Sequence, residues 1–565
     1  MLFSDMPYVR PDLDFLGEKI DEQVEALKSA RTFAQADRAF AAIEKVFSGV
    51  ETAITLCYIR HSVDTEDPFY AAEKEYLDET TPRFQELQQG AQKELYDSPW
   101  RSDFEKKYGT LLFTNMEIQL RSFDPKLIPD MQEENKLTTA YAKLIASAQI
   151  PFEGQVLTIP QLGPYKESTD PDMRRKAWLA QAGFYQEHQQ ELDDIYDKLT
   201  ALRTKMGRAM GYENYVPLGY DRMGRNCYTE DDVKKFREAI VAYVVPLAAR
   251  LYRAQAERLG VSYPMSYADT APRFLSGNPR PRGTADDVLA AGKKFYHELS
   301  PEASAFIDVM FKNELMDVLS RKGKEGGGYC AGIPDYKVPF IFANFNGTQH
   351  DVEVLTHEGG HAFAGYTARD IFPRELQDPT MESCEIHSMS MEFFAWPWAE
   401  DFFGDDADKY RYAHLMGALI FLPYGTMVDH FQHTVYEQPD LTPDQRHEKW
   451  KELTAIYMPW IKLDMPFWGE GKAWQRQSHI YEMPFYYIDY CLAQSVALQF
   501  WALMQEDRGL AWKRYYELVK LAGTRTYREL VAAAGLNDPF EPEGLKAACE
   551  AAAKWLDGCD MTRIK

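Results

Sequence analysis

The sequence is poor in the features that mark several protein classes. Its seven cysteines, Cys57, Cys227, Cys330, Cys384, Cys491, Cys549 and Cys559, are scattered and form no CxxC pair. That excludes a disulfide framework and a cysteine-rich zinc site. No apolar run suits a bilayer: the stretch 239–249 is about half the length needed and contains Pro246. The start, MLFSDMPYVRPDLDFLG, has no basic segment followed by an apolar one, so no secretory leader is expected. Positive charge is scarce, with 63 Lys+Arg against 87 Asp+Glu and a formal charge of −24. Such a surface repels phosphate backbones and anionic lipids, so neither nucleic acid nor membrane is expected as a partner. Internal repeats, low-complexity tracts and linker-like segments are also missing. A reducing cytoplasm is the location these absences suit.

What is present is an ordinary globular composition, 45% hydrophobic and 27% charged, with an unusually large share of tyrosine, 34 in 565 residues. Apolar residues recur at spacings of three and four through 19–60, 70–107 and 171–212, so long helices are expected. Asp170-Pro171, Ser300-Pro301 and Thr442-Pro443 read as helix starts. Strand signals are few. Residues 151–162 read as a hairpin turning at Glu153-Gly154, and 338–345 as a short strand after the glycine-rich 325–332. The expected fold is mostly α, a large helical body of two lobes with a few short strands. The reading divides it into an N-terminal lobe, 1–210, and a catalytic lobe, 211–565, intertwined into one folding unit.

The sharpest feature is His357-Glu358-Gly359-Gly360-His361, an H-E-x-x-H motif. At this composition chance supplies about 0.02 such matches per chain. On a helix, Val352, Leu355, Ala362, Phe363 and Tyr366 gather on one side. His357 and His361 lie roughly opposite, one turn apart, where both imidazoles reach one ion. A helix set between a core and a cleft is what a zinc site requires. Catalytic zinc takes three protein ligands and keeps the fourth position for water. A third histidine six residues on is excluded, because position 367 is Thr. Glu375, Glu382, Glu385 and Glu392 are the carboxylates within reach. Glu375 lies in a proline-bearing loop, whereas the other three fall on the next helical segment, 381–396. Glu385 and Glu392 share a face two turns apart, so one suits the metal and the other a ligand imidazole. Spacing leaves Glu385 and Glu382 both open.

HEGGHAF followed by EIHSMSME at 385–392 resembles the zinc signature of the oligoendopeptidase F and thimet oligopeptidase family. The segments VPFIFANFNGTQHDVEVLTHE, PYGTMVDHFQHTVYEQPDLTP and HIYEMPFYYIDYCLAQ resemble the branch containing oligoendopeptidase F and Pz-peptidase. The resemblance spans roughly residues 140–535. It implies a zincin-like helical metallopeptidase with a deep central channel that admits oligopeptides and excludes folded proteins. It selects Glu385 as third ligand, with Glu392 behind it. It also implies that Tyr490, helped by His479 or Tyr487, donates to the substrate or oxyanion. Tyr481 and Tyr486 belong to the same tyrosine-rich stretch, where packing with satisfied hydroxyls is the competing role.

Weaker signals include His430 and His433, three apart with no acidic ligand pattern, and Gly326–Gly328, which lack the Lys-Ser/Thr sequel of a phosphate loop. His387 suits packing and metal support equally. The strand 338–345 is expected to offer an edge to an extended peptide. Together these readings expect a zinc endopeptidase that cuts internal bonds of short oligopeptides. One Zn²⁺ per chain sits on His357, His361 and Glu385, Glu358 is the general base, and Tyr490 steadies the oxyanion. The alternatives are a related helical zinc carboxypeptidase or dipeptidyl carboxypeptidase, and an inactive peptide-binding protein with structural zinc.

Overall fold

The computed structural model describes residues 1–321 and 323–564, and the described chain is predominantly helical with three small sheets. The backbone gathers into two compact units. One comprises Met1–Leu120, Arg280–Gly404 and Leu503–Gly535; the other comprises Arg121–Pro279, Asp405–Ala502 and Leu536–Lys565. Among the described residues no helix is long and apolar enough to cross a membrane.

The first unit opens with three mutually packed helices, Leu13–Lys28, Phe33–Val63 and Pro68–Tyr96. The apolar periodicity of 19–60 runs through a break, because Thr32 turns extended and its hydroxyl caps the next helix at Gln35. Ile20, Val24, Ile43, Phe47 and Phe84 fill the core between these helices. A three-stranded sheet follows, with Val338–Phe345 in the middle. It runs parallel to Met316–Leu319 and antiparallel to Tyr329–Ile333. The expectation that 338–345 offers a free edge is therefore corrected: it is paired on both sides. Its near-continuous apolar run is the pattern of a central strand, and its neighbours, of four and five residues, are too short to show a period. This sheet leads directly into the helix His350–Ala368, which packs on it and on the helix Met381–Phe394.

In the second unit the expected start at Asp170 holds, with Pro171 first in the helix and the Asp170 carboxylate accepting from the amide of Asp172. That helix ends at Glu187, and a second one, Gln189–Ala209, continues after the turn at His188. The expected hairpin pairs Ile150–Phe152 with Gln155–Leu157, and Glu153 and Gly154 take the two left-handed positions of its turn. The helix Ala407–Glu437 runs 31 residues with Pro423 inside, and Tyr487–Glu506 follows later in the chain.

Candidate metal centre and active site

The helix His350–Ala368 is anchored at its start by Asp351, whose carboxylate accepts from the amides of Asn346 and Gly347 at 2.9 and 2.7 Å. Val352, Leu355, Ala362 and Phe363 are buried on one side, and Phe363 meets the rings of Phe306 and Trp512, each at 5.7 Å. His357 and His361 are half-buried, their ring centres 5.0 Å apart.

The two glycines between the histidines have a physical reason. A Cβ on Gly360 would lie 2.6 Å from the carbonyl oxygen of His387 and 2.7 Å from the Cα of Ser388. Only glycine lets the helix Met381–Phe394 come so close. A Cβ on Gly359 would overlap the hydroxyl of Tyr296. The second helix is further held by Tyr515, whose hydroxyl donates to the His387 carbonyl at 2.9 Å.

This approach brings Glu385 to the histidines. Its Oε2 lies 3.3 Å from Nε2 of His357 and 3.5 Å from Nε2 of His361. Two tetrahedral zinc ligands with bonds of ~2.05 Å are themselves about 3.3 Å apart. The three donors therefore already converge as a divalent cation would require, and each offers one ligand atom. The Ser388 hydroxyl donates to Glu385 Oε2 at 2.9 Å, and Nδ1 of His357 meets Glu392 Oε1 at 2.8 Å. A carboxylate behind a ligand imidazole fixes its tautomer and orientation. Glu382 sits in the first turn of the same helix and takes the Thr380 hydroxyl at 2.7 Å, outside the convergent trio.

The electrostatics favour a cation. Burial opposes charge on His357, but hydrogen bonds and attraction from Glu385 and Glu392 hold its pKa well above the ordinary imidazole value. Burial likewise opposes the Glu385 carboxylate, yet His361 and His357 draw it well below the ordinary range. The Glu358 carboxyl is raised by burial, partly offset by the two histidines. Gly328, from the glycine-rich stretch, passes beside it, with the position of its missing Cβ 3.8 Å from Glu358 Oε1. His387 is buried and pushed down to about 3, mainly by that burial. Asp378 and Tyr296 escaped the sequence reading. Burial raises both, and neither carries a spacing signal.

The other named residues form a cluster in the second unit. His479 faces Tyr486, Tyr487 and Tyr490 at ring distances of 5.6, 5.0 and 5.8 Å, and Tyr487 lies 5.6 Å from Tyr490. Gln477 holds Nδ1 of His479 at 2.9 Å and in turn accepts from the Tyr424 hydroxyl at 2.8 Å. Tyr487 and Tyr490 are half-buried, whereas Tyr481 is fully buried, stacked on Tyr141 at 4.0 Å, and belongs to the core. His433 is buried against the Tyr220 hydroxyl at 3.0 Å, and His430 meets the Tyr457 hydroxyl at 3.1 Å. Glu437, one turn after His433 on the same helix, and Glu230, brought in by folding, lie near His433, but both carboxylates are exposed.

Two family models match the chain: a Peptidase M3 N-terminal domain over residues 3–123 and Peptidase family M3 over residues 291–550. A crystal structure described as an oligoendopeptidase F is 46% identical over 99% of both chains, with a TM-score of 0.94. The chain belongs to peptidase family M3. Pz-peptidase A, solved with an inhibitor, is 44% identical over 99% of both chains with a TM-score of 0.94. A protein from Bacillus anthracis described as an oligoendopeptidase F is 41% identical over 100% of this chain and 99% of its own, with a TM-score of 0.90. No curated protein sequence matches significantly. The oligoendopeptidase F and Pz-peptidase branch of the M3 peptidases is thus the one this chain joins.

Proposed function

We propose that this M3 peptidase is a zinc-dependent endopeptidase acting on internal bonds of short oligopeptides. The observation that carries the reading is the convergence of His357, His361 and Glu385 at near-ligand separations beside the buried Glu358. Zinc held by these three residues would supply Lewis acidity at the scissile carbonyl and acidify a bound water. Glu358, poised by burial, takes the proton of the attacking water and passes it to the leaving amine. Glu392 keeps the His357 ring oriented with Nε2 toward Glu385. We assign Tyr490 as donor to the developing oxyanion, with His479 and Tyr487 orienting it. Family resemblance and the clustering of the three rings support that assignment. The seven cysteines, none paired with another, suit a reducing cytoplasm.

Replacing Glu358 by Gln keeps size and removes the base. Turnover of a peptide blocked at both ends is expected to fall by about 10²–10⁴-fold with zinc content unchanged. Full activity in that variant would overturn the mechanism.

A further inference from the structure

Arg476 ends the short 3-10 turn Ala473–Arg476, directly before the glutamine that holds His479. Solvent reaches its side chain, yet protein surrounds it closely enough for burial to oppose its charge. The guanidinium lies 5.3 Å from the centre of the Tyr424 ring and 5.8 Å from that of Trp468. Its electrostatic neighbours are Tyr424, Tyr267, Tyr487 and Tyr185.

Among the described residues no carboxylate forms an ion pair or hydrogen bond with it. The contrast within the same unit is sharp: Arg203 holds Glu134, Arg225 holds Asp489 and Arg237 holds Asp429. Acids are not scarce in a chain whose net charge is −24. A further charge that feels Arg476 is a like one. Lys166 donates to Gln181 at 2.8 Å and is pushed down to about 8 by burial, then by repulsion from Arg476. Lys166 also feels the attraction of Glu167, whereas the guanidinium lies beside aromatic rings with no protein anion bonded to it, an arrangement that suits an anion from outside.

We propose that Arg476 anchors a carboxylate of the bound peptide, from its C-terminus or from an acidic side chain. This rests on the peptidase reading. The planar guanidinium fork matches a carboxylate bidentately, and the Tyr424 and Trp468 rings flank the place where it would bind. Such an anchor favours peptides that carry a carboxylate.

The test uses the zinc-loaded Glu358→Gln chain, designed to bind peptide without cutting it, and calorimetry with four probes. These are an N-acetylated neutral hexapeptide as free acid and as amide, and the amide form carrying one Asp or one Asn. One carboxylate probe is expected to bind about 10- to 100-fold tighter than its uncharged counterpart. The pair that differs identifies the source of the carboxylate. Adding Arg476→Met, which keeps a long stem and removes no hydrogen bond, is expected to erase the ratio while leaving the affinity for the uncharged probe. Arg476→Lys is expected to restore part of it. Equal affinities within both pairs, or a preference that survives Arg476→Met, would overturn the proposal. Failure of the unmodified chain to cut any of these peptides would count against the peptidase reading instead, since the binding ratio is measured without turnover.

Discussion

Replacing Gly360 by Ala puts the close approach of the two helices that carry the proposed metal ligands under direct strain. The new methyl would stand 2.6, 2.7 and 3.0 Å from the His387 oxygen, the Ser388 Cα and the His387 carbonyl carbon. Carbon atoms in ordinary contact are about 3.5–4.0 Å apart, so the helices must part by roughly 0.8–1 Å. All three atoms are backbone, and no side-chain rotation relieves the overlap. The helix that yields carries Glu385 within one turn of the contact, so the gaps of 3.3 and 3.5 Å to the two histidines open with it. Metal–ligand distances tolerate only about 0.2 Å, several times less than the displacement.

Helix propensity favours alanine by about 1 kcal/mol, while overpacking costs about 1–3 kcal/mol, so overpacking wins or breaks even. The metal is the more sensitive reporter, and zinc affinity is expected to fall about 10- to 100-fold. Gly365, on the same helix with open space around it, is the control. Its change to Ala should stabilise by up to about 1 kcal/mol and leave zinc untouched. Competition with a chromophoric chelator measures affinity, and thermal unfolding with and without chelator measures stability. Wild-type zinc affinity in Gly360→Ala, or an equal loss in Gly365→Ala, would show that this close approach does not hold the site together.

Removing the carboxylate behind His357 by Glu392→Ala is expected to weaken zinc about 10- to 100-fold, with Glu392→Gln recovering part because it still accepts from Nδ1; chelator competition reads both. A second expectation concerns pH. Burial, then repulsion from Glu375, pushes Glu44 up to about 9, against an unfolded value of about 4.3. The folded form therefore holds a proton that the unfolded chain releases. The associated stability is complete below about pH 4 and is lost as pH rises through about 9, at up to about 1.4 kcal/mol per pH unit. Glu44→Gln should flatten the fall of the melting temperature between pH 6 and 8.5, and an unchanged slope would show that Glu44 is not protonated in the fold.

What was legible depended on how local the cause is. The spacing of His357, Glu358 and His361 is set by one turn of helix, and the following segment offers few carboxylates, so a stretch of under 30 residues gave two histidines and a short choice of Glu382 or Glu385, which the family resemblance rather than spacing narrowed to Glu385. The hairpin at Glu153-Gly154 and the proline-led helix at Asp170 are local in the same sense. The breaks at Thr32 and His188 were missed because apolar periodicity continues across them while the backbone does not. What sequence left dark arises from long-range approach. Gly359 is small because Tyr296, 63 positions earlier, fills its Cβ space, and strand 338–345 is central because 316–319 comes back to pair with it. Arg476 is the extreme case. Nothing in the string WQRQ distinguishes it from a surface arginine pointing into water. Its meaning lies in what folding withholds, a carboxylate in a chain with acids in excess, and only the folded surroundings of the side chain reveal such an omission.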